Sequence, residues 1–162
     1  MSWLLDTNVF LQAARREYGF DFCPAFWDWL AEAGETGRVL STAKVLAELT
    51  PGDAVGDWAA QHASLFHPLQ PMDGAALGQV ADWARSGEYT ATAAQGFLDA
   101  ADSHLVAVAL ARGWTVVTHE VPSNSKQRIK IPTACVALRV SFANPYEMLR
   151  KERARFVLGK AT

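Results

Sequence analysis

The sequence has few cysteines, no long apolar run and little net charge, and each of these absences excludes a class of protein. Cys23 and Cys135 are isolated from each other and from other ligand-like residues, so we expect neither a disulfide framework nor a zinc site. No apolar run approaches the roughly 20 residues of a membrane span, and the N-terminus lacks a basic region followed by an apolar stretch. We therefore expect a cytoplasmic protein without a membrane anchor.

The length and the apolar content predict one globular domain. Half of the 162 residues are apolar, enough to bury a core, and we assign residues 1–162 to a single domain. The net charge of −2 conceals an asymmetry: residues 1–120 hold 6 Lys and Arg against 15 Asp and Glu, whereas residues 121–162 hold 9 against 2. This basic segment is either a solvated C-terminal tail or a phosphate-binding flank beside an acidic site that metal neutralises.

Short apolar runs alternate with helical patterns along the chain. The clearest strands begin near residues 2, 38 and 114, and amphipathic helical patterns lie between them. This alternation predicts an α/β fold in which helices cover both faces of a parallel sheet. Asp73 is placed to cap the N-terminus of a helix that buries Val80 and Trp83, and Asn144-Pro145 opens a last helix that runs to Arg155.

Four acidic residues are placed to meet at one edge of the predicted sheet. Asp6 ends the first strand, and Glu120 follows the strongly β-prone run of residues 114–118. Glu48 lies in the helix after the second strand, and Asp102 lies in the first turn of a later helix. The carboxyl ends of parallel strands meet at one edge, which is where open α/β sheets bind ligands, so we expect these side chains to lie close together.

Clustered carboxylates predict a divalent metal site. They repel one another unless they are protonated or neutralised, and oxygen ligands without cysteine or clustered histidine select Mg²⁺ or Mn²⁺ over Zn²⁺. Such ions activate water for phosphodiester hydrolysis. Taken singly, each acid also has a structural interpretation: a cap or turn for Asp6, a solvated helix position for Glu48, a favourable helix-dipole position for Asp102 and a loop acid for Glu120.

Four short motifs carry the acids in the order strand-Asp, helix-Glu, helix-start Asp and strand-acid. They are Leu4-Leu5-Asp6-Thr7-Asn8-Val9-Phe10, Val45-Leu46-Ala47-Glu48-Leu49, Ala101-Asp102-Ser103-His104-Leu105-Val106-Ala107 and Val116-Val117-Thr118-His119-Glu120. In this order they resemble a PIN domain, and specifically a PIN-like family of small bacterial and archaeal proteins of unassigned or toxin-like function. Residues 18–24 and 130–132 add to that likeness, which extends over nearly the whole chain.

The resemblance implies a Rossmann-like α/β/α sandwich with a central parallel sheet and an Mg²⁺- or Mn²⁺-dependent endoribonuclease of the VapC toxin type. Such toxins cleave RNA, are neutralised by a protein antitoxin and are often homodimers. By the same resemblance Asp6, Glu48 and Asp102 bind metal. Glu120 falls where PIN domains usually have Asp or Asn, and because Glu is one methylene longer, we expect it to ligate through water or to hold a second ion.

Several neighbouring residues are candidates for supporting roles. Asn8 and Thr118 are placed to donate hydrogen bonds that orient the carboxylates, although ordinary turn and strand-end bonding explains them equally well. Lys126, Arg128 and Lys130 belong to a basic loop, which is either solvated or in contact with substrate phosphates.

Three further side chains near the acids carry less specific signals. Asp99 precedes Asp102 by one turn, where an N-cap or a solvated position is the simpler interpretation. His104 points away from Asp102 on a helix, so we assign it a structural role, whereas His119 is next to Glu120 and is a candidate for substrate contact.

Other functions are compatible with parts of the pattern. Hydrolysis by metal-activated water needs no 2′-hydroxyl, so a structure-specific DNA nuclease is the nearest alternative. A catalytically silent PIN-like module that binds nucleic acid or protein is a second. A phosphoacceptor receiver domain normally has paired acids at its first strand and a Lys after a late strand, and here the chain has Leu5-Asp6 and His119.

Overall fold

A parallel five-stranded sheet forms the centre of the structure, a computed structural model that describes residues 1–159. Its strands are β1 (Trp3–Leu5), β2 (Val39–Thr42), β3 (Phe66–His67), β4 (Thr115–Val117) and β5 (Phe142–Ala143). They are arranged in the order β3-β2-β1-β4-β5, and every neighbouring pair is parallel. All residues of β1, β2 and β4 are buried, which explains why these strands are apolar runs without strict alternation.

Helices flank the sheet and confirm the predicted α/β class. One π-helical turn, Ala13–Glu17, directly follows the first helix, and short 3₁₀ turns occur at Ala63–Leu65 and Pro71–Asp73. None of the helices within residues 1–159 combines the length and apolarity needed to cross a bilayer. The α-helices are α1 (Thr7–Gln12), α2 (Pro24–Glu35), α3 (Ala43–Glu48), α4 (Ala54–Gln61), α5 (Gly74–Ser86), α6 (Ala91–Asp99), α7 (Ala101–Arg112), α8 (Ile131–Leu138) and α9 (Pro145–Lys151).

Aromatic packing fixes the segment that follows α1. As the helical spacing predicts, Phe26 and Trp27 of α2 are almost completely buried. Phe26 stacks on Tyr18 at 4.4 Å and Trp27 stacks on Phe20 at 4.1 Å between ring centroids. The Trp27 Nε1–H group also donates to the carbonyl oxygen of Tyr18 at 2.7 Å. Large buried aromatic surfaces contribute strongly to stability, so this cluster holds the end of the π-helical turn against α2.

The strand order creates a crevice at the carboxyl ends of β1 and β4. From β1 the chain moves outward to β2 and β3, and it then crosses back to form β4 and β5 on the other side of β1. The backbone N–H of Asp6 donates to the carbonyl oxygen of Val117 at 2.9 Å, which holds the two strand ends side by side. Open α/β sheets bind ligands at such a switch point.

The structure moves some predicted element boundaries. The sequence before α7 forms a separate helix, α6, and the extended backbone of Ala100 separates the two (φ −85°, ψ 168°). Gly113 ends α7 in a left-handed conformation (φ 68°), as its position after Arg112 indicates. The last helix ends at Lys151 and does not reach Arg155.

Asp73 occupies the predicted N-cap position of α5, but its side chain makes no capping hydrogen bond to that helix. Its carboxylate is buried and binds the Arg112 guanidinium through two contacts, Nε to Oδ1 at 3.0 Å and Nη2 to Oδ2 at 2.8 Å. Oδ2 also accepts a hydrogen bond from the backbone N–H of Gln70 at 2.8 Å. A capping hydrogen bond stabilises a helix by about 1 kcal/mol, whereas removing one partner of a buried ion pair costs about 3–5 kcal/mol. The distant arginine therefore determines where the Asp73 side chain points.

Replacing Asp73 should destabilise the protein far more than a surface change does. We expect Asp73→Ala to lower the free energy of unfolding by about 3 kcal/mol, because the Arg112 charge loses its buried partner. Asp82→Ala, at an exposed position of α5, is the matched control and should change it by about 0.5 kcal/mol or less. Urea unfolding of the two variants checks this, and equal effects would contradict the assigned role.

Candidate metal centre

The buried carboxylate of Asp6 lies at the switch point. Asp6 follows β1 in an extended conformation, and only 3% of its surface is exposed. Its Oδ2 atom accepts a hydrogen bond from the Thr118 hydroxyl at 2.9 Å, and the same hydroxyl oxygen accepts the backbone N–H of Glu120 at 3.1 Å. Thr118 thus links the acid after β1 to the acid after β4.

Glu48 connects the starts of two helices. Its Oε2 atom accepts a hydrogen bond from the Thr7 hydroxyl at 2.7 Å, and its Oε1 atom accepts one from the backbone N–H of Ala101 at 2.8 Å. Ala101 is the first residue of α7, whose N-terminal N–H groups favour negative charge. The last residue of α3 is thereby held beside the residue after Asp6 and one residue before Asp102.

Glu120 has one oxygen that is buried without a hydrogen-bond partner. The side chain is 9% exposed, and the Lys130 ammonium lies 3.3 Å from Oε2. That distance makes an ion pair, but Oε2 receives no aligned hydrogen bond from any described residue. A buried carboxylate oxygen in this state favours a cation close by.

The four acids influence one another electrostatically. Burial raises the pKa of Asp6 to about 6; the Thr118 hydrogen bond opposes this rise, and the charges of Glu120 and Glu48 add to it. Burial also raises the pKa of Asp102 to about 7, with further contributions from the charges of Asp6, Glu120 and Glu48. Asp6 and Asp102 therefore both lie within electrostatic reach of Glu48 and Glu120, and a bound cation would relieve the repulsion.

The donor chemistry of this site fits Mg²⁺ or Mn²⁺, but its side chains have not converged on one point. Within residues 1–159 no three His, Cys, Asp or Glu side chains are close enough together, as they stand, to hold one ion. The donors are nonetheless all carboxylates, the charges of Glu48 and Glu120 help to raise the pKa values of Asp6 and Asp102, and Glu120 has a buried oxygen without a hydrogen bond. Carboxylate oxygens without cysteine or clustered histidine are the ligands that select Mg²⁺ or Mn²⁺.

The structure places Asn8 differently from its predicted role. Asn8 is exposed, and its side chain lines a cleft beside Glu120. The hydrogen bond to a site carboxylate comes from Thr7, one residue earlier, because successive residues of α1 point in different directions around the helix. Nothing in the sequence separates the two neighbours except the exact start of the helix.

Besides Lys130, which lies beside Glu120, the basic loop contains two further candidates with different surroundings. Lys126 does not meet the acids: its ammonium pairs with Glu88 at 2.6 Å and lies 5.3 Å from the centre of the Tyr89 ring. Arg128 lines a groove of about 330 Å³ together with Asp102, and its charge lowers the Asp102 pKa.

The remaining candidates surround the site at different distances. Asp99 is exposed at the end of α6 and accepts a hydrogen bond from Gln95 at 2.7 Å. His104 lines a separate groove with His67 and Lys44. His119 is half-buried, its ring lies 6.0 Å from that of Tyr146, and it lines the cleft beside Glu120.

Two arginines in the last turn of the π-helical segment are part of this region. Arg15 and Arg16 line the cleft beside Glu120, which has a volume of about 700 Å³. Basic residues in the last turn of a helix are usual, so the sequence alone contains no signal that these two face the acidic edge.

The raised pKa of Asp102 predicts a pH-dependent stability in EDTA. The folded chain keeps the Asp102 proton up to about pH 7, whereas the unfolded chain releases it near pH 4, so stability falls as the pH rises between these values. Asp102→Asn lacks this loss and should be more stable than the wild type at pH 8 by on the order of 4 kcal/mol, with little difference at pH 4. Urea unfolding at both pH values measures it, with Asp99→Asn as the control; a difference independent of pH would contradict the assigned environment.

Comparisons with known proteins agree with this fold. The crystal structure of FitAcB from Neisseria gonorrhoeae is similar, with a TM-score of 0.50 and 20% identity over 89% of this chain and 98% of that chain. At that identity the likeness shows the fold alone, a PIN-like α/β/α sandwich, and it confirms the predicted fold class. No curated protein matches the chain. A family model described as a domain of unknown function, DUF4411, matches residues 3–156, so the protein belongs to the DUF4411 family.

Proposed function

We propose that this protein is an Mg²⁺- or Mn²⁺-dependent nuclease that hydrolyses RNA phosphodiesters. The observation that carries the proposal is that Asp6 and Asp102, at the switch point of a PIN-like sheet, both lie within reach of the charges of Glu48 and Glu120. Such a cluster is costly, because burial and the neighbouring negative charges raise the pKa values of Asp6 and Asp102. Perturbed carboxylates in a crevice are typical of functional sites.

The chain's own residues would hold and orient the metal ligands. Thr118 fixes Asp6 relative to Glu120, and Thr7 together with the Ala101 N–H group fixes Glu48. When bound, one or two divalent ions supply the activation of water and the stabilisation of charge that phosphodiester hydrolysis needs. Hydrogen bonds from neighbouring groups keep such ligands in a defined orientation.

Basic residues beside the acids support a nucleic-acid substrate. Lys130 lies next to Glu120, Arg128 shares a groove with Asp102, and Arg15 and Arg16 line the adjacent cleft. Lysine and arginine contacts to phosphates provide most of the affinity of nucleic-acid-binding proteins. The choice of RNA over DNA rests on the resemblance to VapC-type toxins, and so does the proposal that a protein antitoxin binds and silences the enzyme.

Loss of a single carboxylate should abolish cleavage. Wild-type protein should cut a mixed single-stranded RNA pool with Mg²⁺ or Mn²⁺ and not with EDTA, and Asp6→Asn should lower the rate at least about 100-fold because it removes a metal ligand at the switch point. Asp99→Asn, which removes an exposed acid outside the site, should keep wild-type activity. Gel electrophoresis of the cleavage products gives the cleavage rate of each of the three proteins.

Different outcomes of this experiment separate the remaining functions. Cleavage of single-stranded DNA in preference to RNA would make the protein a DNA nuclease. No cleavage in either metal, together with no metal binding by calorimetry, would overturn the enzyme proposal in favour of a binding module. Growth arrest on expression of the wild type but not of Asp6→Asn is the result expected of a toxin, and normal growth with both would contradict that part.

The Thr7 hydroxyl should strengthen metal binding, because it orients the carboxylate of Glu48. Thr7→Val keeps the shape of the side chain but removes the hydrogen bond to Oε2, and we expect the apparent affinity for Mn²⁺ to fall roughly 10- to 100-fold. Thr7→Ser keeps the hydroxyl and should retain near-wild-type affinity. Calorimetric titration with Mn²⁺ checks both variants, and equal affinities for Thr7→Val and Thr7→Ser would exclude this role.

A further inference from the structure

A cleft beside the acidic residues has the size and charge of a nucleotide-binding site. We call it the arginine cleft and define it by Arg15, Arg16, Lys130, Leu11, Val121 and Pro122. Glu120 also lines it, so the cleft opens directly onto the candidate metal centre. Its volume of about 700 Å³ falls in the range of pockets that hold small ligands, about 300–1,000 Å³.

The π-helical turn places two consecutive arginines on the wall of this cleft. The turn Ala13–Glu17 ends with a hydrogen bond from the Tyr18 N–H group to the Ala13 carbonyl oxygen at 2.8 Å. Because a π turn is wider than an α turn, consecutive side chains diverge less, and Arg15 and Arg16 both reach the cleft. Tyr18 is in turn anchored on α2 by its carbonyl and its ring. Such turns occur frequently at functional sites.

The charges of these arginines are not used within the described chain. Arg38 pairs with Glu152 and Arg112 pairs with Asp73, whereas Arg15 and Arg16 are exposed and form no ion pair with any residue in 1–159. The cleft therefore has three cationic side chains and one carboxylate, Glu120. Its excess positive charge fits an anionic ligand.

Apolar side chains also line the arginine cleft. They are Leu11, Val121 and Pro122, and Val121 is 71% exposed. An inorganic anion gains nothing from these apolar side chains, whereas a nucleotide has a phosphate for the arginines and a base and sugar for the apolar groups. Single-stranded nucleic acids bind through this combination of a basic track and contacts to the faces of the bases.

We propose that the arginine cleft binds one or two nucleotides of single-stranded RNA on one side of the bond that is cleaved, with Arg15 and Arg16 contacting phosphates. This inference rests on the proposed nuclease function, since the cleft gains its meaning from the adjacent acids. It assigns substrate contacts to residues outside the basic loop. Its test measures binding, so that it does not depend on catalysis.

Removing both arginine charges should weaken RNA binding. All proteins carry Asp6→Asn so that the RNA stays intact, and binding of a fluorescein-labelled single-stranded RNA of about 12 nucleotides is followed by anisotropy in Mg²⁺. Adding Arg15→Gln and Arg16→Gln should lower the affinity roughly tenfold or more. The plot of log K against log salt should become shallower, with the magnitude of its slope smaller by about 1.4, because two phosphate contacts to a single strand are lost.

A matched pair of surface arginines controls for the change in net charge. Arg85→Gln with Arg155→Gln removes the same charge at exposed positions outside the cleft and should leave the affinity within about twofold. Equal losses in the two double variants, or no RNA binding by Asp6→Asn itself, would overturn the proposal. Arginine-dependent binding by a chain whose wild type cleaves nothing would uphold the cleft and reject the nuclease, so the two failures are distinguishable.

Discussion

Carboxylates at one edge of the sheet repel one another, and the rest of the fold holds them together against that repulsion. A parallel sheet brings the carboxyl ends of all its strands to one edge, and here Asp6 directly follows β1 and β4 leads to Glu120. Burial prevents water from screening the charges fully, so the pKa values of Asp6 and Asp102 rise to about 6 and about 7. Carboxylates with pKa values raised in this way are typical of functional sites, and this arrangement is the basis of the proposed cation site.

Hydroxyl and backbone donors keep this unfavourable cluster in place. Thr118 bonds to Asp6 and accepts the N–H of Glu120, and Thr7 with Ala101 holds both oxygens of Glu48. The first set of bonds joins the ends of β1 and β4, and the second joins α3 to the starts of α1 and α7. The aromatic cluster around Trp27 holds the end of the π-helical turn in place, and this turn carries Arg15 and Arg16, which line the cleft.

Much of the fold follows from local pattern, whereas side-chain partners depend on the complete structure. The buried apolar strands and the helices between them predict the parallel sheet, and the order of the acids predicts which edge they share. Local pattern predicts a capping role for Asp73, because its actual partner, Arg112, is 39 residues away and outside any local pattern. Thr7 and Asn8 differ only in their rotation around α1, and Lys126 is drawn to Glu88 by a contact that no spacing rule reveals. Long-range geometry decides each of these cases.

Anomalous diffraction from crystals grown with Mn²⁺ would locate a bound metal without depending on activity. We expect an anomalous difference peak at the carboxyl end of β1, with oxygen atoms of Asp6 and Asp102 within coordination distance. Glu48 and Glu120 should lie around the same peak, directly or through water. Crystals that diffract well in millimolar Mn²⁺ but have no peak there, or have one only elsewhere on the surface, would contradict the assignment of a metal centre.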